Sequence, residues 1–140
     1  MKITEQDTPL SAEDIDGVEV GLDFKIPPVV RALYLESNGG RITPAVFEND
    51  TAETLLAELL PLKSSQREPV GEVYNYFARE LRFIPKLFLP FANDAGGDYF
   101  FLDTSLPNGS VYLLRHDTDS LNPLIRLNLG FNEFWASLKD

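Results

Sequence analysis

Apolar residues along this chain recur with two different periods, and the periods divide it into helical and extended stretches. Val70, Val73, Tyr74, Phe77 and Leu81 fall at i, i+3, i+4, i+7 and i+11. That is the stripe one helical face buries, and it is the clearest amphipathic helix in the chain. Phe131, Phe134, Trp135 and Leu138 repeat the spacing, so a helix should close the chain and pack Trp135 inward. Val29, Val30, Leu33 and Tyr34 supply a third such face. Pro28 suits its first turn, where a missing N–H costs nothing. Asn38, Gly39 and Gly40 should stop it, because Asn and Gly tolerate the left-handed conformation. Ser11 reads as the N-cap of an earlier helix, with Glu13 and Asp14 favouring the positive end of its dipole. Gly17 and Gly21 should keep that helix short. Leu22, Phe24 and Ile26 alternate briefly before Pro27-Pro28.

The extended stretches come later. Ile42 to Phe47 reads as a short strand broken by Pro44. Glu53 to Leu62 is ambiguous: its Ala, Leu and Glu favour helix, yet its leucines also fit alternation. Lys63 to Pro69 is polar and reads as mobile. Leu87–Phe91, Tyr99–Leu102 and Val111–Leu114 are short apolar runs between turn residues, with Pro107-Asn108-Gly109 placed to link the last two as a hairpin. Asn122-Pro123 marks a further turn, and Leu124 to Leu129 allows a final strand. Runs without alternation predict strands covered on both faces, or on one face with a partner on the other. Helices before and after consecutive antiparallel strands give an α+β domain, a mainly antiparallel β-sheet flanked by helices. One domain over residues 1–140 is expected, with residues 1–10 a loose polar arm.

Composition changes the picture mainly through charge. Twelve basic against 22 acidic residues give a formal net charge of −10. Nucleic acid is therefore not expected as a ligand, since phosphate contacts need a basic face, and neither is an anionic membrane. A basic protein partner suits the charge; so does plain solubility. No cysteine is present, which removes disulfides and thiolate chemistry. The start, Met1 to Glu5, lacks the basic-then-apolar pattern of a secretory signal, so a cytoplasmic location is the expectation.

Candidate chemistry is sparse. His116, the single histidine, stands beside Asp117 and near Ser120, but triad partners converge in space rather than in sequence, so a turn histidine is the better reading. Asp94, Asp98 and Asp103 lack the alternating carboxylates of a calcium loop, and Gly96-Gly97 lacks the Lys and Ser or Thr of a phosphate loop. No acidic pair is marked out for sugar hydrolysis. No catalytic, cofactor-binding or metal-binding residue is assigned. What stands out instead are two corners, Asn38-Gly39-Gly40 and Asn93-Asp94-Ala95-Gly96-Gly97-Asp98. Each places a Gly pair, able to turn sharply or approach other backbone closely, among residues that form turns.

The order of these pieces resembles a known family. Ser11-Ala12-Glu13-Asp14-Ile15 and Glu19-Val20-Gly21-Leu22 come first, then Ile26-Pro27 and the helix ending in Asn38-Gly39-Gly40. The block Leu89-Pro90-Phe91-Ala92-Asn93-Asp94-Ala95-Gly96-Gly97-Asp98-Tyr99-Phe100-Phe101-Leu102-Asp103 follows, then Gly109-Ser110-Val111-Tyr112 and Phe131-Asn132-Glu133-Phe134-Trp135. Together they resemble the SUKH superfamily, also called the Smi/Knr family, over nearly the whole chain; Pro28 after Pro27 departs from its pattern. The resemblance implies a SUKH-like α+β fold and a binding module rather than an enzyme. Many bacterial members of that family look like immunity proteins that neutralise a cognate toxin, often a nuclease. The alternatives are a regulatory or scaffold interaction domain and, less favoured, a carboxylate-dependent hydrolase. The expected docking residues are Asn38, Gly39, Gly40, Asn93, Asp94, Gly97 and Asp98 on an acidic face. A homodimer through an exposed sheet edge is compatible with any of these readings.

Overall fold

Ser11 opens the first helix as expected: its hydroxyl accepts from Asp14 N–H at 3.1 Å, and its own N–H donates to the Asp14 carboxylate at 2.9 Å. The computed structural model describes residues 1–106, 109–115 and 124–140. Helix α1 runs Ala12–Leu22, straight through both glycines. Buried Ile15, Glu19 and Leu22 hold its inner face, and that burial outweighs about 1 kcal/mol per glycine. The stop is Asp23, in the left-handed region at φ 65°. Helix α2 spans Pro28–Glu36, with Val30 and Tyr34 buried. Its terminal residue Ser37 is extended, and the left-handed turn is made further on by Gly39.

Helix α3 begins at Val70, but regular α-geometry lasts only to Tyr74, and Asn75–Glu80 continue as a π-helix. Leu81 N–H bonds back five residues to Tyr76 at 2.9 Å. The wider turn buries Phe77 while leaving Tyr76 exposed. The last helix, α4, is Phe131–Ser137.

Strands β1 (Lys2–Thr4), β2 (Gly40–Thr43), β4 (Glu53–Leu59), β5 (Phe88–Asp94), β6 (Tyr99–Asp103), β7 (Val111–Leu114) and β8 (Leu124–Arg126) form one antiparallel sheet in the order β1-β2-β4-β5-β6-β7-β8, and β3 (Val46–Glu48) also pairs with β4. The ambiguous Glu53–Leu62 segment is thus a strand over its first part. Burial on one face of β4 and pairing on both its edges decide against the local helix propensity. Residues 1–10 are not a loose arm: β1 pairs with β2, and Asp7 N–H donates to Asn38 O at 3.0 Å. Three residues are too few to show a period, so β1 leaves no sequence signature.

The expectation of strands covered on both faces holds. Phe100 and Phe101 point to opposite sides of β6. Phe100 meets Phe134 of α4 at 5.2 Å between ring centroids, and Phe101 meets Phe77 of the π-helix at 5.8 Å. Helix α4 therefore covers one face, and α3 with its π-helical extension covers the other, with α1 packed against α3. Phe47, Phe91, Phe100 and Phe134 are fully buried and stack on one another. Each contributes about 1.5–3 kcal/mol by leaving water. Trp135 joins them at 9% exposure, with its indole N–H without a partner among the described residues. His116, Asp117, Ser120, Pro107-Asn108 and Asn122-Pro123 lie outside the described residues.

A candidate docking groove between two glycine corners

Both predicted corners are built into the frame of the molecule. Asn38 is 2% exposed. Its amide donates to Thr8 O at 2.8 Å and Lys63 O at 2.9 Å, and its carbonyl accepts from Leu62 N–H at 2.9 Å. One side chain thus ties the residues after β1 and the exit of β4 to the end of α2. Gly39, at φ 76°, lies where a Cβ would come within 2.9 Å of Pro61. Gly40, at φ 133°, supports β1 so closely that a Cβ would stand 2.3 Å from Thr4 O.

The second corner closes on itself. Asp94 is 5% exposed, and its Oδ1 accepts from Gly96 N–H at 3.0 Å and Asp98 N–H at 2.8 Å. Its Oδ2 accepts from the Thr54 hydroxyl at 2.6 Å. Asp98 is buried too, with Arg115 Nη1 3.7 Å from its carboxylate. Asn93 Oδ1 accepts from Glu58 N–H at 3.0 Å, just where β4 is bulged between Leu56 and Glu58. In this corner Ala95, Gly96 and Gly97 face solvent. The expectation of an acidic loop presenting Asp94 and Asp98 is corrected: both side chains are buried, and the Asp94 carboxylate accepts the N–H groups that a tight turn must satisfy. Asp103 lies apart, opposite Phe88, and caps Ser105.

What the two corners bracket was not legible. Strand β2 leaves β4 after Arg41, and β3 rejoins it at Val46, so the chain between them arches away. The opening is a groove of about 790 Å³, within the usual range for binding clefts. Leu55, Ala57, Ile42 and Ala45 are among its apolar lining, with Ala95 from the second corner. Glu5, Arg41, Glu58 and Arg67 supply its charge. Arg41 directly follows the first corner. Leu55 is 52% exposed, an unusual position for a large apolar side chain in a sheet.

One wall of the groove is rigid. Arg67 Nη1 lies 3.1 Å from Glu58 and its Nε 3.7 Å from Asp7, and its Nη2 also donates to Glu5 O. Ser64 accepts the Arg67 N–H at 2.9 Å. The polar stretch expected to be mobile is therefore pinned to the residues that follow β1 and to β4. Beside it the Tyr99 hydroxyl donates to Glu68 at 2.9 Å. Burial pushes the Tyr99 phenol up to about 12, and the hydrogen bond and charge of Glu68 add to the effect, as does the charge of Glu58. The opposite wall is looser. Arg41 and Glu5 are 72% and 68% exposed and 3.9 Å apart, a pairing of little strength in water.

The sequence model of the SMI1/KNR4 family (SUKH-1) matches residues 9–137. The chain belongs to the SMI1/KNR4 family. Its α+β architecture, with four helices and an eight-stranded antiparallel sheet among the described residues, is consistent with that family's fold. No curated protein matches the chain.

A buried carboxylate ties the end of the first helix to the start of the second. Glu19, in the Glu19-Val20-Gly21-Leu22 segment, is 6% exposed. It accepts the Ile26 N–H at 2.6 Å and faces Arg31 at 3.3 Å and Lys25 at 3.7 Å. It clamps the turn that sets up Pro27 and the start of α2. The groove's two carboxylates, Glu5 and Glu58, each face a guanidinium. Among the described residues no helix is long and apolar enough to cross a membrane, and no group of three or more His, Asp or Glu could hold a metal ion.

Proposed function

We propose that this SMI1/KNR4 protein is an immunity-type binding module, which neutralises a cognate toxin by covering the toxin's basic, nucleic-acid-binding face. Membership of the family carries the reading, and the net charge of −10 supports it. Excess negative charge steers a basic partner into encounter and opposes nucleic acid competing for the same surface. The β4 groove is the docking floor we assign, with Leu55 as the apolar anchor and Glu5 and Glu58 as the facing carboxylates. Anchors of this kind carry most of the energy of an interface, and the charged rim sets rate and register. The first glycine corner contributes by holding Arg41 beside the groove, and the second contributes Ala95 to its lining.

Titrating the protein with the toxin encoded beside its gene tests this reading. Stoichiometric binding with loss of toxin activity supports it. Neither binding nor protection for any neighbouring toxin overturns it and leaves a regulatory interaction domain as the reading of the same groove.

A further inference from the structure

The groove wall built on Arg67 runs on, through Glu68, to the π-helix. The Tyr99 hydroxyl donates to Glu68, and the Tyr99 ring meets Phe77 at 5.2 Å between centroids. Phe77 in turn meets Tyr76 at 5.1 Å. Phe77 is buried, Tyr99 is half-buried and Tyr76 is 49% exposed. Neighbouring residues of one helix cannot both face the core, and the wide turn that seats Phe77 leaves the Tyr76 ring at the surface. Two tyrosines thus flank one buried ring at the edge of the docking groove.

Charge around these rings is not balanced within the chain. Inside the groove Asp7 and Glu58 share Arg67. Beside the tyrosines the carboxylates have no such partner. Glu68 accepts from Tyr99, and among the described residues neither it nor Glu72 faces a cation. Both are exposed, and Glu72 stands one helical turn before Tyr76. Arg79, the basic residue that follows, is turned away: it bonds Asn75 at 2.7 Å and Gly21 O at 2.9 Å. Its guanidinium lies 5.3 Å from the centre of the Tyr74 ring. Tyr74 is therefore supplied with a cation by the chain itself, and among the described residues Tyr76 is not.

We propose that the Tyr76–Tyr99 surface receives arginine side chains of a basic protein partner. One guanidinium lies over the Tyr76 ring against Glu72, and a second meets Glu68 beside Tyr99. A planar guanidinium can stack on a ring and pair with a carboxylate at the same time, which the compact, strongly hydrated ammonium of lysine does poorly. The inference rests on the reading of this protein as a module for a basic partner, and it names the side chain that the partner must bring.

Nuclear magnetic resonance titration of the full chain with a blocked peptide of alternating arginine and glycine tests it. The ring resonances of Tyr76 and Tyr99 should shift and saturate. The same peptide with citrulline, which keeps the shape and loses the charge, should leave them in place, and its lysine counterpart should bind more weakly. Tyr76→Leu keeps apolar bulk without the π face and should weaken the arginine peptide about two- to fivefold. Tyr76→Leu combined with Glu68→Gln and Glu72→Gln should weaken it by at least about tenfold. All three positions are exposed, and an unchanged thermal transition confirms that each variant folds. Rings that do not respond to the arginine peptide overturn the proposal. So do citrulline or lysine peptides that bind as well, or an affinity indifferent to the substitutions, which would reflect the net charge of −10 alone. Because the probe is a peptide, loss of the toxin reading and loss of this surface are read separately.

Discussion

The Asn38-Gly39-Gly40 and Asn93–Asp98 corners look alike in sequence and do different work. In the first, backbone crowds backbone: a Cβ on Gly40 would meet Thr4 O at 2.3 Å. In the second, a carboxylate gathers N–H groups, and a Cβ on Gly96 would meet nothing closer than Asp94 Oδ1 at 3.5 Å. Glycine is thus demanded by close approach in the first corner, while in the second Gly97 is needed for its left-handed φ of 89°, Gly96 is not, and Asp94 holds the turn together. A Gly pair in a sequence marks a bend, and the neighbours decide which residue is indispensable.

Substitutions should separate the two corners in a fixed order. Gly40→Ala carries the largest expected effect, about 2–4 kcal/mol of stability, because strained backbone and a blocked β1 act together. Urea unfolding measures it, and hydrogen exchange at Ile3 should rise as β1 detaches. A loss under about 1 kcal/mol would mean that β1 contributes little to the sheet. Asn38→Ala comes next, at about 2–3 kcal/mol, since it orphans partners in a buried junction. Asp94→Ala should cost about 1–3 kcal/mol by leaving two loop N–H groups and Thr54 without their acceptor. Gly96→Ala sets the floor of the series, within about 0.5 kcal/mol of wild type. Equal costs at Gly40 and Gly96 would erase the distinction between the corners.

A pH prediction sharpens the groove wall between them. The Tyr99 phenol is held up at about 12, against an ordinary value of 10.0. The folded protein therefore keeps a proton that the unfolded chain releases. The stabilising contribution is whole below the ordinary value and is lost as pH rises from there toward the folded one. Tyr99→Phe should flatten the fall in stability over that window, as followed by urea midpoints. Phenolate absorbance should show one tyrosine fewer titrating late. The part of the fall that survives the substitution belongs to Tyr34 and Tyr74, which burial also pushes up.

Much of the fold was legible because it rests on period and caps. The stripes of Val70–Leu81 and Phe131–Leu138, the Ser11 cap and the doubly covered Tyr99–Leu102 strand all follow from local pattern. What escaped has no local pattern. Strand β1 is three residues long. The π-helical step at Asn75–Glu80 depends on how Phe77 seats against Tyr99 and Phe101. The groove exists because β2 and β3 share one edge of β4, a fact of register between distant segments. The expected docking residues Asn38, Asn93, Asp94 and Asp98 are bound up in holding the fold together. Arg41, next to the first corner, and Ala95, within the second, line the opening instead. Leu55 could have been suspected only from a strand assignment that the sequence left ambiguous.

The central claim is that the β4 groove is where a protein partner docks. Calorimetric titration of the proposed partner, the toxin encoded beside its gene, into wild type and Leu55→Arg protein tests it most directly. Leu55 is exposed, so the substitution leaves the core intact, while it places bulk and positive charge on the docking floor. The account predicts tight binding by wild type and at least about a hundredfold weaker binding by the variant, the loss expected of a central anchor. Undiminished affinity in a folded Leu55→Arg protein would contradict it and move the docking face elsewhere on the molecule.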